Sequence, residues 1–126
     1  MTVNDIYEAA LSLDSTLREQ DDTLKPHALN WANICLQDTL ATENSILLWE
    51  GKPVLESAPL LVAMEDTIPY HDSLVRTAFP FFLASQILKD DDNNAWASRY
   101  YDMYVNAVAA ASIMLPQDDS ETDVWR

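Results

Sequence analysis

The residues of this chain that could carry acid–base chemistry are its two histidines and their acidic neighbours. His71 is followed directly by Asp72 at the start of a predicted helix, where a carboxylate can orient an imidazole for proton transfer. A capping or surface histidine is the more common outcome of such a pair, so we predict no catalytic residue. Neither His71 nor His27 has a second histidine or a cysteine at the spacing of zinc ligands. We therefore expect neither a metal nor a cofactor.

An acidic run at residues 90–94 has the composition of a cation-binding loop. It consists of three aspartates and two asparagines. Ala95 follows where the sharp turn of an EF-hand needs glycine, so we interpret the run as a turn that caps the next helix. Gly51 is the only glycine in the sequence, which excludes a glycine-rich phosphate-binding loop.

The elements that position these groups are best defined over residues 67–115, where two amphipathic helices flank the acidic turn. Apolar residues recur at steps of three, four and seven, as one face of an α-helix requires. In the first helix they are Leu74, Val75, Ala78, Phe79, Phe82, Leu83 and Ile87. In the second helix they are Trp96, Tyr100, Met103, Tyr104, Ala107, Val108, Ala111 and Leu115. We expect Pro69 to begin the first helix, Pro80 to kink or break it, and Pro116 to end the second.

The remainder of the chain has weaker patterns. Thr2 and Asp5 have the spacing of a capping box at the start of a helix. The sequence predicts a first helix over about 3–13, followed by a polar loop over 14–23 that is anchored by Leu17. A second helix is predicted over about 25–40, with Pro26 in its first turn. A short β-hairpin over 45–55 and an extended segment over 59–64 follow.

Together these patterns predict a mainly α fold, a small bundle of about four helices with a short β-hairpin. The length and the single glycine favour one helical domain at residues 1–115, followed by an acidic tail at 116–126. Cys35 is the only cysteine, so it forms no intramolecular disulfide and is expected in the core. No stretch approaches the roughly 18 apolar residues of a membrane span, so we expect a soluble chain with no membrane partner.

The charge of the chain narrows the classes of function. With 21 acidic and 7 basic residues, its formal net charge is −14. Direct binding to a nucleic-acid backbone through lysine and arginine is therefore not expected. The charge is compatible with a solvated surface, with a protein that mimics DNA, and with a wall along which DNA slides without sticking.

The last helix carries apolar residues on two faces. Trp96, Tyr100, Met103 and Tyr104 form a stripe that we expect in the core, although Trp96 is also a candidate contact. Tyr101, Val105 and Ala109 lie on a second face, beyond the arc of about 100° that one core contact requires. A helix with two apolar faces usually has two neighbours, one of which can be another subunit. The candidate inter-subunit residues are Trp96, Tyr101, Val105 and Ala109.

Four short motifs follow one another between about residues 4 and 110. They are Asp5 and Ile6 with Ala9, Ala10, Leu13 and Asp14; residues 28–33 continued at 43–46; residues 68–74; and the tyrosine-rich residues 99–104. In this order the motifs resemble the head–tail adaptor, or head-completion, proteins of tailed bacteriophages. The matching features are Trp31 in the second helix, the Pro69-Tyr70 step before a helix, and the aromatic last helix.

The resemblance implies a small helical protein that forms a ring, commonly of twelve copies, beneath the portal protein of the virion. Such a ring extends the channel through which genomic DNA passes without specific binding, and it offers a platform for a neck or tail-completion protein. It also implies a location at the head–tail junction after synthesis in the host cytoplasm. The C-terminal segment of such proteins often docks on the portal, which would give that role to Val124, Trp125 and Arg126.

Two other classes of function stay open from the sequence. An acidic inhibitor could mimic DNA and occupy the basic cleft of a host nuclease or another DNA-binding protein. This class predicts tight, salt-sensitive binding of the isolated monomer to a basic protein. An enzyme of unfamiliar type would have only His71 and Asp72 as candidate catalytic residues.

Overall fold

Five helices make up most of the chain that the structure, a computed structural model, describes: residues 1–13, 17, 21–90 and 93–113. They are α1 (Val3–Leu11), α2 (Asp21–Asp38), α3 (Leu40–Trp49), α4 (Asp72–Asp90) and α5 (Asn94–Ile113). The prediction of a mainly helical fold is confirmed. Among the described residues there is no β-strand, and one isolated antiparallel bridge joins Thr2 to Thr67.

Helix α4 is the centre of the fold. It packs most extensively against α5, and it also contacts α1 and α2. All seven residues of the apolar stripe predicted for this helix are buried, and Phe79 is fully inaccessible to solvent. The Phe79 ring meets Tyr70 edge-on at 6.4 Å between centroids, while Phe82 lies 5.1 Å from Tyr104 of α5. The predicted pairing of two helices across the acidic turn is therefore confirmed for the residues that the structure describes.

Neither Pro69 nor Pro80 marks a boundary of α4. Pro69 does not begin α4, because the helix starts three residues later, at Asp72. Pro80 lies inside α4 and is buried, yet the helix is not broken there. Proline has no amide hydrogen, so the carbonyl of Arg76 loses its usual helical partner. Burial of the apolar side chains on either side of Pro80 holds the helix together across this gap.

The first two helices differ from the prediction at their ends. The capping box is confirmed: the Asp5 amide donates to Thr2 Oγ1 at 3.2 Å, and the Thr2 amide donates to Asp5 Oδ2 at 2.9 Å. Helix α1 ends at Leu11 instead of residue 13. Helix α2 begins at Asp21, inside the stretch predicted as a loop, and therefore contains Pro26 in its interior. The expected burial of Leu17 is confirmed.

The predicted β-hairpin at 45–55 is wrong. Residues 45–49 are the second half of α3, and Gly51 ends that helix with a φ angle of +77°. The Gly51 amide donates to the Leu48 carbonyl at 3.0 Å, and the Lys52 amide donates to the Leu47 carbonyl at 2.9 Å. This pair of bonds is a Schellman motif, in which glycine takes the left-handed conformation that other residues avoid. The glycine thus ends a helix and does not turn a hairpin.

A connection over residues 50–71 joins α3 to α4. It contains neither helix nor strand, and it includes the segment 59–64 predicted as extended. The N-terminus pairs with it: the Asn4 amide donates to the Met64 carbonyl at 2.9 Å, and the Ile68 amide donates to the Met1 carbonyl at 2.8 Å. Connections this long in small domains are usually either functional or linker segments. The predicted tail at 116–126, including Val124, Trp125 and Arg126, lies outside the described residues, as do Asp14 and Leu115.

Candidate interaction surfaces

The outward face of α5 is the first candidate surface. Trp96, Tyr101 and Val105 are 44%, 42% and 47% exposed, and Ala109 is exposed as well. These are the four candidate inter-subunit residues, and all of them lie on the surface of the single chain. We call Tyr101, Val105 and Ala109 the α5 face. Tyr104, one turn after Tyr101 on the same helix, is instead buried against α4.

The prediction that Trp96 and Met103 belong to the core is wrong. Trp96 lies in the first turn of α5, where the Arg99 guanidinium stands 4.7 Å from the centre of its ring in a cation–π contact. Met103 is 40% exposed. It is rotated by about 100° from Tyr104, which takes the inward position. Helix α5 therefore buries a narrower stripe than its sequence indicates.

A second candidate surface lies at the end of α3 and in the connection that follows. We call it the 48–62 segment. Its large apolar side chains are conspicuously exposed, with Leu60 at 75% and Val62 at 71%. The complete set is Leu48, Trp49, Val54, Leu60 and Val62. Together with the α5 face, this segment gives the chain apolar surfaces on two separate elements.

Two asparagine side chains fix the 48–62 segment to the helices. The Asn33 amide group accepts from the Leu61 N–H at 2.8 Å and donates to the Leu61 carbonyl at 2.9 Å. Asn44 does the same for Leu55, at 2.8 and 3.0 Å. Each side chain thus satisfies both backbone groups of one residue, as a neighbouring β-strand would. Because Leu61 is held inward, Leu60 and Val62 point outward.

A small hollow opens beside the α5 face. It has a volume of about 180 Å³ and is lined by Asp38, Tyr101, Tyr104, Val105 and Val108. Its floor is set by a polar contact between helices, because the Tyr104 hydroxyl donates to the Asp38 carboxylate. The Cys35 thiol lies 3.9 Å from the same hydroxyl. Burial raises the pKa of this thiol, which keeps it protonated and confirms its expected place in the core.

The structure does not pair His71 with Asp72, the combination that the sequence offered as a candidate for acid–base chemistry. His71 Nδ1 lies 2.9 Å from Glu43 Oε2, and His71 Nε2 lies 2.9 Å from Glu50 Oε1. The His71 backbone amide also donates to Glu43 Oε1, at 3.0 Å. Asp72 instead lies 3.9 Å from the guanidinium of Arg76. Both ring nitrogens of His71 are therefore engaged by carboxylates other than Asp72.

Partial burial alone would lower the pKa of His71, but hydrogen bonds from its ring to Glu50 and Glu43 outweigh it and raise the pKa. The hydrogen bond from His71 in turn lowers the pKa of Glu50. Burial raises the pKa of the neighbouring Tyr70 to about 12, and its hydroxyl donates to the Leu36 carbonyl at 2.7 Å. These polar contacts connect α3 and α2 to the start of α4.

Sequence reasoning missed the partners of His71. Glu43 is the signal that could have revealed them, because it lies on the same helical face as the buried Ile46 three residues later. An acidic residue on the inward face of a helix needs a partner. Within the described part of the chain, no three histidine, cysteine or acidic side chains are grouped to hold a metal ion. None of the described helices is long and apolar enough to cross a membrane.

Comparison of the chain with models of known protein families, with curated proteins and with solved structures gives no match.

The Tyr104–Asp38 contact predicts a measurable contribution to stability. Tyr104→Phe keeps the buried ring but removes the hydroxyl that donates to Asp38, so the free energy of unfolding should fall by about 1 kcal/mol. Tyr101→Phe is the matched control, because its side chain lies on the exposed α5 face and should change the value by less than about 0.5 kcal/mol. Urea denaturation of the three proteins measures both values. Equal effects of the two substitutions would show that the hydrogen bond from Tyr104 to Asp38 does not stabilise the fold.

Proposed function

We propose that this chain is a structural connector without catalysis, a head–tail adaptor that forms a ring beneath the portal protein of a tailed bacteriophage. The observation that carries the proposal is the exposure of the α5 face together with the 48–62 segment. A single chain leaves both uncovered, and neighbouring copies would cover them. The order of the sequence motifs supports the same class of protein.

The ring that we propose has a heterologous interface, in which the α5 face of one copy meets the 48–62 segment of the next. Every subunit in a closed ring presents one surface to each of two neighbours, and the two surfaces differ. The chain carries two such surfaces on different elements. The hollow beside Val105 would receive an apolar side chain such as Leu60, which is among the most exposed of the large apolar residues described.

The charge of the chain suits the channel of such a ring. Every copy carries a formal charge of −14, so a ring of copies repels each phosphate of the DNA that passes through it. Transit requires that DNA does not bind the wall. The portal protein on one side and a neck or tail-completion protein on the other complete the proposed set of partners, at the head–tail junction.

The interface predicts complementation between two defective variants. Val105→Glu places a charge on the α5 face, and Leu60→Glu places one on the 48–62 segment. Either variant alone should lose higher assemblies, because each copy retains only one working surface. An equimolar mixture should form a discrete heterodimer, since the intact α5 face of one variant meets the intact 48–62 segment of the other. Native mass spectrometry distinguishes these species.

The control for this experiment is Asn106→Glu, which adds the same charge at an exposed position next to Val105 on α5 and should assemble as the wild type does. A mixture of the two variants that contains only monomers would show that the two surfaces do not meet. A wild-type chain that remains monomeric, in solution and on the portal, would contradict the ring itself.

The acidic tail predicts a separate result. Deletion of residues 116–126 should leave the helical fold intact, because most of the tail is acidic or polar and the core described above is formed by residues that precede it. It should abolish binding to the portal protein of the same virion, since we assign that contact to Val124, Trp125 and Arg126. Circular dichroism checks the fold and surface plasmon resonance checks the binding. A truncated chain that still binds purified portal would refute the assignment.

A further inference from the structure

We propose that Glu43, His71 and Glu50 form a proton-dependent clasp, which holds the end of α3 against the start of α4 and opens at its Glu50 contact when His71 loses a proton. The clasp is independent of the proposed function, because it consists of contacts within one chain. His71, which has no part in the proposed ring, would have a regulatory role in it.

The geometry of the clasp requires two ring protons. His71 Nδ1 is 2.9 Å from a Glu43 oxygen and His71 Nε2 is 2.9 Å from a Glu50 oxygen. A carboxylate only accepts hydrogen bonds, so both nitrogens must donate. Only the imidazolium form of histidine has two N–H groups. In the closed clasp, one positive ring therefore bridges two negative side chains.

The two contacts respond differently when the proton leaves. The Glu43 side chain is 3% exposed, and its other oxygen accepts from the His71 backbone amide at 3.0 Å. Losing the ring contact would leave a buried carboxylate oxygen without a donor, which is costly. The neutral ring therefore keeps its proton on Nδ1, toward Glu43. The lone pair of Nε2 then faces the Glu50 carboxylate, and two acceptors at this distance repel each other.

The charges around the ring determine the direction of the response. On the α3 side they are Glu43, Glu50 and Lys52, whose Nζ lies 3.2 Å from Glu50 Oε1. On the α4 side Asp72 follows His71, and the Met1 amino group lies 4.0 Å from its carboxylate. The same Asp72 carboxylate lies 3.9 Å from the Arg76 guanidinium. The Tyr70 hydroxyl stays neutral where a histidine titrates, because burial raises its pKa to about 12.

The sign of the pH dependence follows from the raised pKa of His71. A histidine with a raised pKa in the folded state contributes its full stabilisation below the unfolded value of about 6.5. That contribution is lost as the pH rises through the folded pKa. The clasp is therefore closed in mild acid and opens toward alkaline pH.

Opening acts on a defined part of the chain. Glu50 is the C-cap of α3, directly after the exposed Trp49 and before the left-handed Gly51. Lys52 retains its contact with Glu50, while Asn44 still holds Leu55 and Asn33 still holds Leu61. The response should therefore be confined to residues 49–53, at the beginning of the 48–62 segment.

The test is an NMR titration of the full chain between about pH 5 and 9, which brackets the ordinary histidine pKa. Signals of the His71 ring and of the amides at Glu50, Gly51 and Lys52 are followed together. We expect one common midpoint, above the ordinary value, and loss of hydrogen-exchange protection at the Lys52 amide on the alkaline side. The Leu61 amide, held by Asn33, should not follow that midpoint.

Glu50→Gln separates the clasp from a general effect of pH. A glutamine accepts from the protonated ring and donates to the neutral ring, so residues 49–53 should lose their pH-dependent change and the midpoint of His71 should fall. Glu56→Gln, an exposed residue in the same connection, should leave both unchanged. Amides that do not follow the His71 ring, a His71 midpoint at or below the ordinary value, or identical behaviour of the two variants would overturn the proposal.

Discussion

Burial of one helix on three sides is the constraint on which the rest of this structure depends. Helix α4 packs against α1, α2 and α5, and its apolar stripe makes up much of the core. Fully burying a side chain such as Phe79 contributes about 1.5–3 kcal/mol, so the stripe dominates the stability of the fold. Because α4 covers only one face of α5, the remaining surface of that helix is left to solvent, and α3 has no extensive contact with α4.

Polar side chains position the connection and the helix that the apolar core does not hold. Asn33 and Asn44 hold the connection over residues 50–71 by its backbone, and Glu43 with His71 fixes α3 to the start of α4. These contacts keep apolar side chains outward, where a chain acting alone gains nothing from them. Ordered exposure of this kind is typical of surfaces that meet a partner. The same polar contacts also make the segment sensitive to the protonation of one histidine.

The sequence predicted α4, α5 and the turn between them because two uninterrupted stripes of apolar residues define both helices. The prediction of secondary structure failed where one residue type has two structural uses. Gly51 ends α3 in a Schellman motif, although its neighbours resemble those of a hairpin. Pro26 and Pro80 lie inside helices that the surrounding core stabilises. The α5 face was predicted from the breadth of the apolar pattern. The partners of His71 were not, because they are 28 and 21 residues away in the chain and only the tertiary fold brings them together.

In the proposed ring, the α5 face of one copy contacts the 48–62 segment of another. The most direct measurement is photo-crosslinking from a benzophenone side chain introduced at Tyr101, in a mixture of unlabelled and ¹⁵N-labelled chains. Mass spectrometry then separates links within a chain from links between chains. The proposed ring predicts links of mixed isotope composition that end within residues 48–62. Links confined to single chains, or links between chains that end elsewhere, would contradict it.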